Sequence, residues 1–137
     1  MSNTLPLLLL IEDDPSILEV IQFALEVKGY RIIGVSSRDA GVTVLKEEPV
    51  GLILMDLHMP GMPPEEFLAE CAKLRPEARI ILMTAADRVL LKAQSLGINH
   101  WIGKPFELDT LVSILQECNC ELESLKKTDG SLSTRCA

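Results

Sequence analysis

Aromatic residues are scarce in this chain. Three Phe, one Tyr and one Trp make up 4% of its 137 residues. A core built from it must be aliphatic, and with 47% apolar residues there is ample Leu, Ile and Val for one. Basic residues are also in the minority, 13 Lys and Arg against 20 Asp and Glu, for a net charge of −7. That balance argues against direct nucleic-acid binding, which needs a positive surface, and against attachment to anionic lipid. No apolar run is long enough to span a bilayer. Leu7 to Ile11 is too short for a secretory signal, has no basic stretch before it and ends in three acids, so a cytoplasmic location is expected. There are only two histidines, neither near the Cys118–Cys120 pair. The four cysteines therefore do not form a four-ligand zinc site, and reduced thiols are the expectation. Internal repeats and low-complexity blocks are absent. A chain of this length suits one domain that buries roughly two thirds of its unfolded surface.

The chain is organised around Gly51 to Gly61. Leu52 to Met55 is a wholly apolar run that ends in a single acid, Asp56, followed by the turn Met59-Pro60-Gly61. A short apolar run bounded by Gly and Pro reads as a strand buried on both faces. Leu7 to Ile11 has the same grammar and ends in Glu12-Asp13-Asp14. After it, Ile17, Val20, Ile21, Ala24 and Leu25 repeat with helical period. Asp14 is the expected N-cap, Pro15 the first helical residue and Gly29 the stop. Three further strands are expected over Tyr30–Val35, Arg79–Met83 and Asn99–Ile102. Helices are expected over 40–48, from Pro64 to before Pro76, over Val89–Leu96, and from Leu108 onward with Leu122 and Leu125 prolonging the stripe. Residues 1–125 thus read as one domain and 126–137 as a flexible, polar tail.

Five strands alternating with five helices argue for an α/β fold: a flavodoxin-like, doubly wound (βα)5 sandwich on a five-stranded parallel sheet in the order 2-1-3-4-5. In that order the first and third strands are neighbours at the switch point, where open sheets of this kind bind ligands. Glu12, Asp13 and Asp56 then share one cleft. Close carboxylates repel one another and call for a cation or raised pKa values. Hard oxygen donors suit Mg²⁺, with Mn²⁺ as a substitute. Thr84 at the end of the fourth strand offers a hydroxyl, and Lys104 before Pro105 offers an ammonium. Together these parts suit a tetrahedral dianion beside a carboxylate able to act as nucleophile.

The segments LLLLIEDDPSI, LILMDLHMPGM, IILMTAAD and WIGKPF resemble, in order and spacing, the receiver domain of two-component response regulators. The likeness runs from Leu7 to Cys118. It implies that Asp56 is the phospho-acceptor and that Asp13 binds Mg²⁺ directly, with Glu12 acting through a water. His58 would give its backbone carbonyl to the metal. Thr84 and Lys104 would bond the phosphoryl oxygens, and Trp101 would stand at the switch aromatic whose rotamer follows Thr84. His58 and Ala86 fall where the family tunes phosphoryl lifetime. The sequence departs from the family in carrying an indole at 101, where Tyr or Phe is usual, and Pro63-Pro64, where Asp-Gly is common.

The resemblance also implies a signalling domain and not an enzyme, beyond self-phosphorylation and self-dephosphorylation. Its expected donor is a histidine kinase or phosphotransfer protein. Its output would pass to a protein target through the face of the fourth helix, fifth strand and fifth helix. The expected state is a monomer or a phosphorylation-dependent dimer, standing alone or belonging to a longer response regulator or hybrid kinase. Three rivals stand against this reading. A phosphate-independent pseudo-receiver would not need the full set of acids, Thr84 and Lys104. A Mg²⁺-dependent aspartyl phosphohydrolase usually carries an acid two residues after its nucleophile, where this chain has His58. A cofactor-binding flavodoxin relative would need a phosphate loop where the acids 12–14 stand.

Overall fold

In the computed structural model, which describes residues 5–85 and 89–126, five strands form one parallel sheet. Strand β1 (Leu7–Ile11) is buried throughout. Its neighbours are β2 (Arg31–Val35) on one side and β3 (Val50–Asp56) on the other, followed by β4 (Arg79–Ala85) and β5 (His100–Lys104). The order is β2-β1-β3-β4-β5, as the alternation of elements predicts. The helices are α1 (Pro15–Val27), α2 (Arg38–Glu47), α3 (Pro64–Leu74), α4 (Val89–Leu96) and α5 (Leu108–Lys126).

Period-two alternation along the strands feeds two cores. Leu8, Leu10, Leu52, Leu54, Ile81 and Met83 pack with Ile21 and Leu25 of α1 and with Leu111, Leu115 and Leu122 of α5. Leu7, Leu9, Ile11, Ile53, Met55 and Leu82 pack with Leu45 of α2, Phe67 and Cys71 of α3 and Ala93 of α4. Strands buried on both faces need apolar residues at consecutive positions, which is why the runs at 7–11 and 52–55 are uninterrupted.

Local signals set the boundaries. Asp14 caps α1, its carboxylate accepting from the backbone N–H of Ser16 at 2.9 Å and of Ile17 at 3.4 Å. Gly29, with φ +99°, turns the chain after α1. Ser37 caps α2 through the N–H of Ala40, so α2 starts two residues before the expected position. Strand β4 runs on through Thr84 to Ala85, and β5 reaches Lys104; the Lys104–Pro105 peptide is cis. Helix α5 takes in both Leu122 and Leu125. Of the expected tail, only Lys126 falls within the described residues. Ala86 lies outside them.

Cys71 and Cys118 are free and buried, as expected, but Cys120 is disulfide-bonded, against the expectation of reduced thiols. The His100 side chain is only 12% exposed. Its Nε2 lies 3.1 Å from Glu121 on α5, because β5 is flanked by α5 at that level. Among the described residues, no helix is long and apolar enough to cross a membrane.

Candidate functional site

The register of the sheet assembles the site. Ile11 pairs with Met55, so the next residues, Glu12 and Asp56, leave adjacent strands side by side. The N–H of Glu12 donates to Val35, and that of Leu57 donates to Met83, which carries the ladder past both strand ends. On the far side of β3, Thr84 pairs with Gly103 and Ala85 with Lys104. The carboxyl ends of four strands therefore meet at one place.

The carboxylates of Glu12, Asp13 and Asp56 offer ligand atoms that all lie within 4.8 Å of one another. Glu12 and Asp56 are buried, and Asp13 is exposed. Lys104 bridges the two buried acids, its Nζ 3.0 Å from Glu12 Oε1 and 3.0 Å from Asp56 Oδ2. The second oxygen of each acid takes a backbone N–H: Asp14 donates to Glu12 Oε2 at 3.2 Å, and His58 donates to Asp56 Oδ1 at 3.1 Å. Thr84 Oγ1 is buried with no hydrogen-bond partner. The His58 side chain is exposed. Trp101 is half-buried and packs against the core cluster that includes Leu82 and Ala93.

These contacts explain the titration. Burial raises the Glu12 pKa above its usual value; bonds from Lys104 and the Asp14 N–H pull it back, and the charge of Asp56 pushes it up again. Burial alone would lower the pKa of Lys104, but its bonds to Asp56 and Glu12 more than offset this and raise it. One ammonium thus faces three acids. The cluster fits a hard divalent cation, because its donors are all carboxylate oxygens held close together.

Of the predicted residues, Glu12, Asp13, Asp56 and Lys104 share this pocket, Thr84 stands next to the end of β4 opposite Gly103, and Trp101 stands two residues before Gly103 on β5. One residue was missed. Arg38 is 1% exposed. Its guanidinium donates to the carbonyls of Asp56 at 3.0 Å, Leu57 at 2.7 Å, Met62 at 3.0 Å and Met59 at 3.4 Å. Nothing local marks it, since arginine is mostly exposed and its acceptors lie 18 to 24 residues downstream.

Fold and site together define a flavodoxin-fold domain with an acid pocket at its switch point. The model of the response regulator receiver domain matches residues 8–116, and the chain belongs to that family, the receiver domains of two-component systems. It is 30% identical over 119 residues to the transcriptional regulatory protein GlrR of Escherichia coli K12, covering 85% of this chain and 27% of that protein. It is 32% identical over 108 residues to the uncharacterized transcriptional regulatory protein YkoG of Bacillus subtilis, covering 77% of this chain and 47% of that one. The chain therefore spans between 27% and 47% of the length of these two relatives. Among solved structures, a CheY-like receiver domain protein from Methanospirillum hungatei superposes with a TM-score of 0.77 at 27% identity, over 87% of this chain and 97% of that one. A receiver domain protein from Clostridium thermocellum gives 0.78 at 25% identity, over 88% and 99%. Receiver domains of response regulators are signalling domains that work with histidine kinases, not enzymes in the ordinary sense.

Proposed function

We propose that residues 1–125 form a phosphoryl-accepting receiver, followed by a tail over 126–137, and that Asp56 takes the phosphoryl group from a partner's phosphohistidine. The supporting observation is the bridge of Lys104 to both Glu12 and Asp56 at 3.0 Å, with the Asp13 carboxylate beside them. A carboxylate oxygen of Asp56 attacks phosphorus; the P–N bond to the donor imidazole breaks, and its electron pair stays on the imidazole. Lys104 stands where it neutralises charge on the transferred group, and the buried hydroxyl of Thr84 is a donor without a present acceptor. Asp13, Asp56 and the His58 carbonyl would hold Mg²⁺, with Glu12 assisting through a water. The cation supplies charge neutralisation at the phosphoryl oxygens. Drawing Thr84 and Lys104 onto a new dianion biases the face of α4, β5 and α5, with Trp101 on it, toward a second arrangement that a protein target reads. Such a domain acts in the cytoplasm.

The test is direct. The protein is incubated with Mg²⁺ and a small phosphoryl donor and weighed intact. One phosphoryl group is expected on the wild type and none on Asp56→Asn. A gain of mass that persists in Asp56→Asn would overturn the assignment.

A further inference from the structure

The guanidinium of Arg38 is buried in a domain that already holds one cation at its acid pocket. Its two terminal nitrogens carry four N–H groups, and four backbone carbonyls receive them, those of 56, 57, 59 and 62. The fifth donor, Nε, is buried without a partner. All of the bonded capacity of this fork is thus spent on the loop that follows the acceptor residue. The carbonyls it passes over are those of His58, Pro60 and Gly61, and of these His58 lies nearest the acceptor residue in the chain.

The rest of the loop agrees. The N–H of Met59 donates to Leu57 at 3.1 Å, closing a tight turn centred on His58. The N–H of His58 is held by Asp56 Oδ1. Arg38, through the Leu57 carbonyl, and Asp56, through the His58 N–H, therefore hold the peptide unit before His58 from both ends, and the unit after it is held by the Met59 N–H on Leu57. We infer that Arg38 is a positioning residue for the cation and phosphoryl site: its buried fork shapes the loop 56–62 so that the His58 carbonyl remains available to the metal and the Asp56 carboxylate is aimed. This rests on the reading of Asp56 and Mg²⁺ given above.

Charge and shape make opposite predictions, which gives the inference a sharp test. As a mere buried cation near Asp56 and Asp13, Arg38 would repel Mg²⁺, and its removal would tighten binding. As a shaping residue, its loss loosens the ligands. Lysine keeps the charge but lacks the planar fork.

The experiment measures Mg²⁺ binding by calorimetry for the wild type, Arg38→Lys and Arg38→Ala. It also measures the Mg²⁺ dependence of Asp56 phosphorylation by a small donor. Folding of each variant is checked by circular dichroism. The expected result is Mg²⁺ affinity lower by about ten-fold or more in both variants, as for residues that orient metal ligands. The Mg²⁺ concentration for half-maximal phosphorylation should rise in step with the loss of affinity. A merely structural role would lower the folded fraction without moving that concentration. Unchanged or tighter Mg²⁺ binding in the folded variants would overturn the inference, as would a Lys variant that behaves as wild type while Ala does not. If neither variant folds, Arg38 is a structural residue and the inference falls. A wild type that binds no Mg²⁺ and takes no phosphoryl group overturns the functional reading itself, which separates the two failures.

Discussion

The Nζ of Lys104 stands 3.0 Å from Oδ2 of Asp56, so the proposed acceptor is already paired with a cation. The same ammonium reaches Glu12 Oε1. Lys104→Ala would leave two buried carboxylates without their counter-charge. Breaking such a pair costs several kcal/mol when both partners are fully buried. Lys104 is 25% exposed, so solvent screening reduces this to about 1–3 kcal/mol. Urea denaturation should show that loss in EDTA and a partial recovery in Mg²⁺. A Lys104→Ala variant as stable as the wild type without a divalent cation would show that the acids are neutralised otherwise.

Much of this is legible in the amino-acid sequence. Leu7 to Ile11 and Leu52 to Met55 had to be doubly buried strands, and the acids at their ends had to converge once those strands became neighbours. Asp14 and Gly29 announced the limits of α1 through simple capping chemistry. The burial of Arg38 was not legible, because its partners are carbonyls of a loop that reaches it only in the folded chain. The burial of His100 is hidden for a similar reason. A polar residue at a strand start is usually solvated, but here α5 continues far enough to bring Glu121 against it. Periodicity reports which face of an element is apolar; it does not report which long-range polar partner is waiting there.

Asp14 separates capping from ligation among the three consecutive acids. Its carboxylate accepts from Ser16 and Ile17, and its backbone N–H, not its side chain, touches Glu12. Asp14→Ala should cost about 1 kcal/mol through the lost cap, a fall of several degrees in Tm for a domain of this size. Phosphoryl uptake in Mg²⁺ should remain. Loss of uptake without loss of Tm would make Asp14 part of the pocket.

The free thiols give a pH signature. Burial pushes Cys71 and Cys118 up to about 12 from a usual value of 9.0, with nearby glutamates adding to the shift. Both groups keep their protons in the folded chain where the unfolded chain loses them. Stability from this source is fully present below pH 9.0 and drains away as pH rises toward 12. Each thiol contributes a slope of about 1.4 kcal/mol per pH unit in that window. At mildly alkaline pH the native protein should resist alkylation at both positions, and unfolding in urea should expose both, read by peptide mass. Rapid native labelling of Cys71 would contradict its burial among Phe67 and Leu45.

Trp101 is the one tryptophan of the chain, so its emission reports a single place. It is half-buried against the core cluster beside α4, and its partner across the ladder is Leu82, two residues before Thr84. Thr84 Oγ1 has no acceptor now. A phosphoryl group on Asp56 would provide one, and movement of that hydroxyl changes the space along β4 into which a neighbouring ring can turn. Adding Mg²⁺ with beryllofluoride, a mimic of the phosphoryl group, should shift Trp101 emission to the blue as the indole becomes more buried. In Thr84→Ala the mimic still finds Asp56 and Lys104, but the hydroxyl that leads the ring is gone, and the shift should vanish. A shift kept in Thr84→Ala would cut the link between the two residues. An unchanged spectrum and lifetime in the wild type would make Trp101 a packing residue, and the output face would then have to move by some route that leaves the indole where it stands.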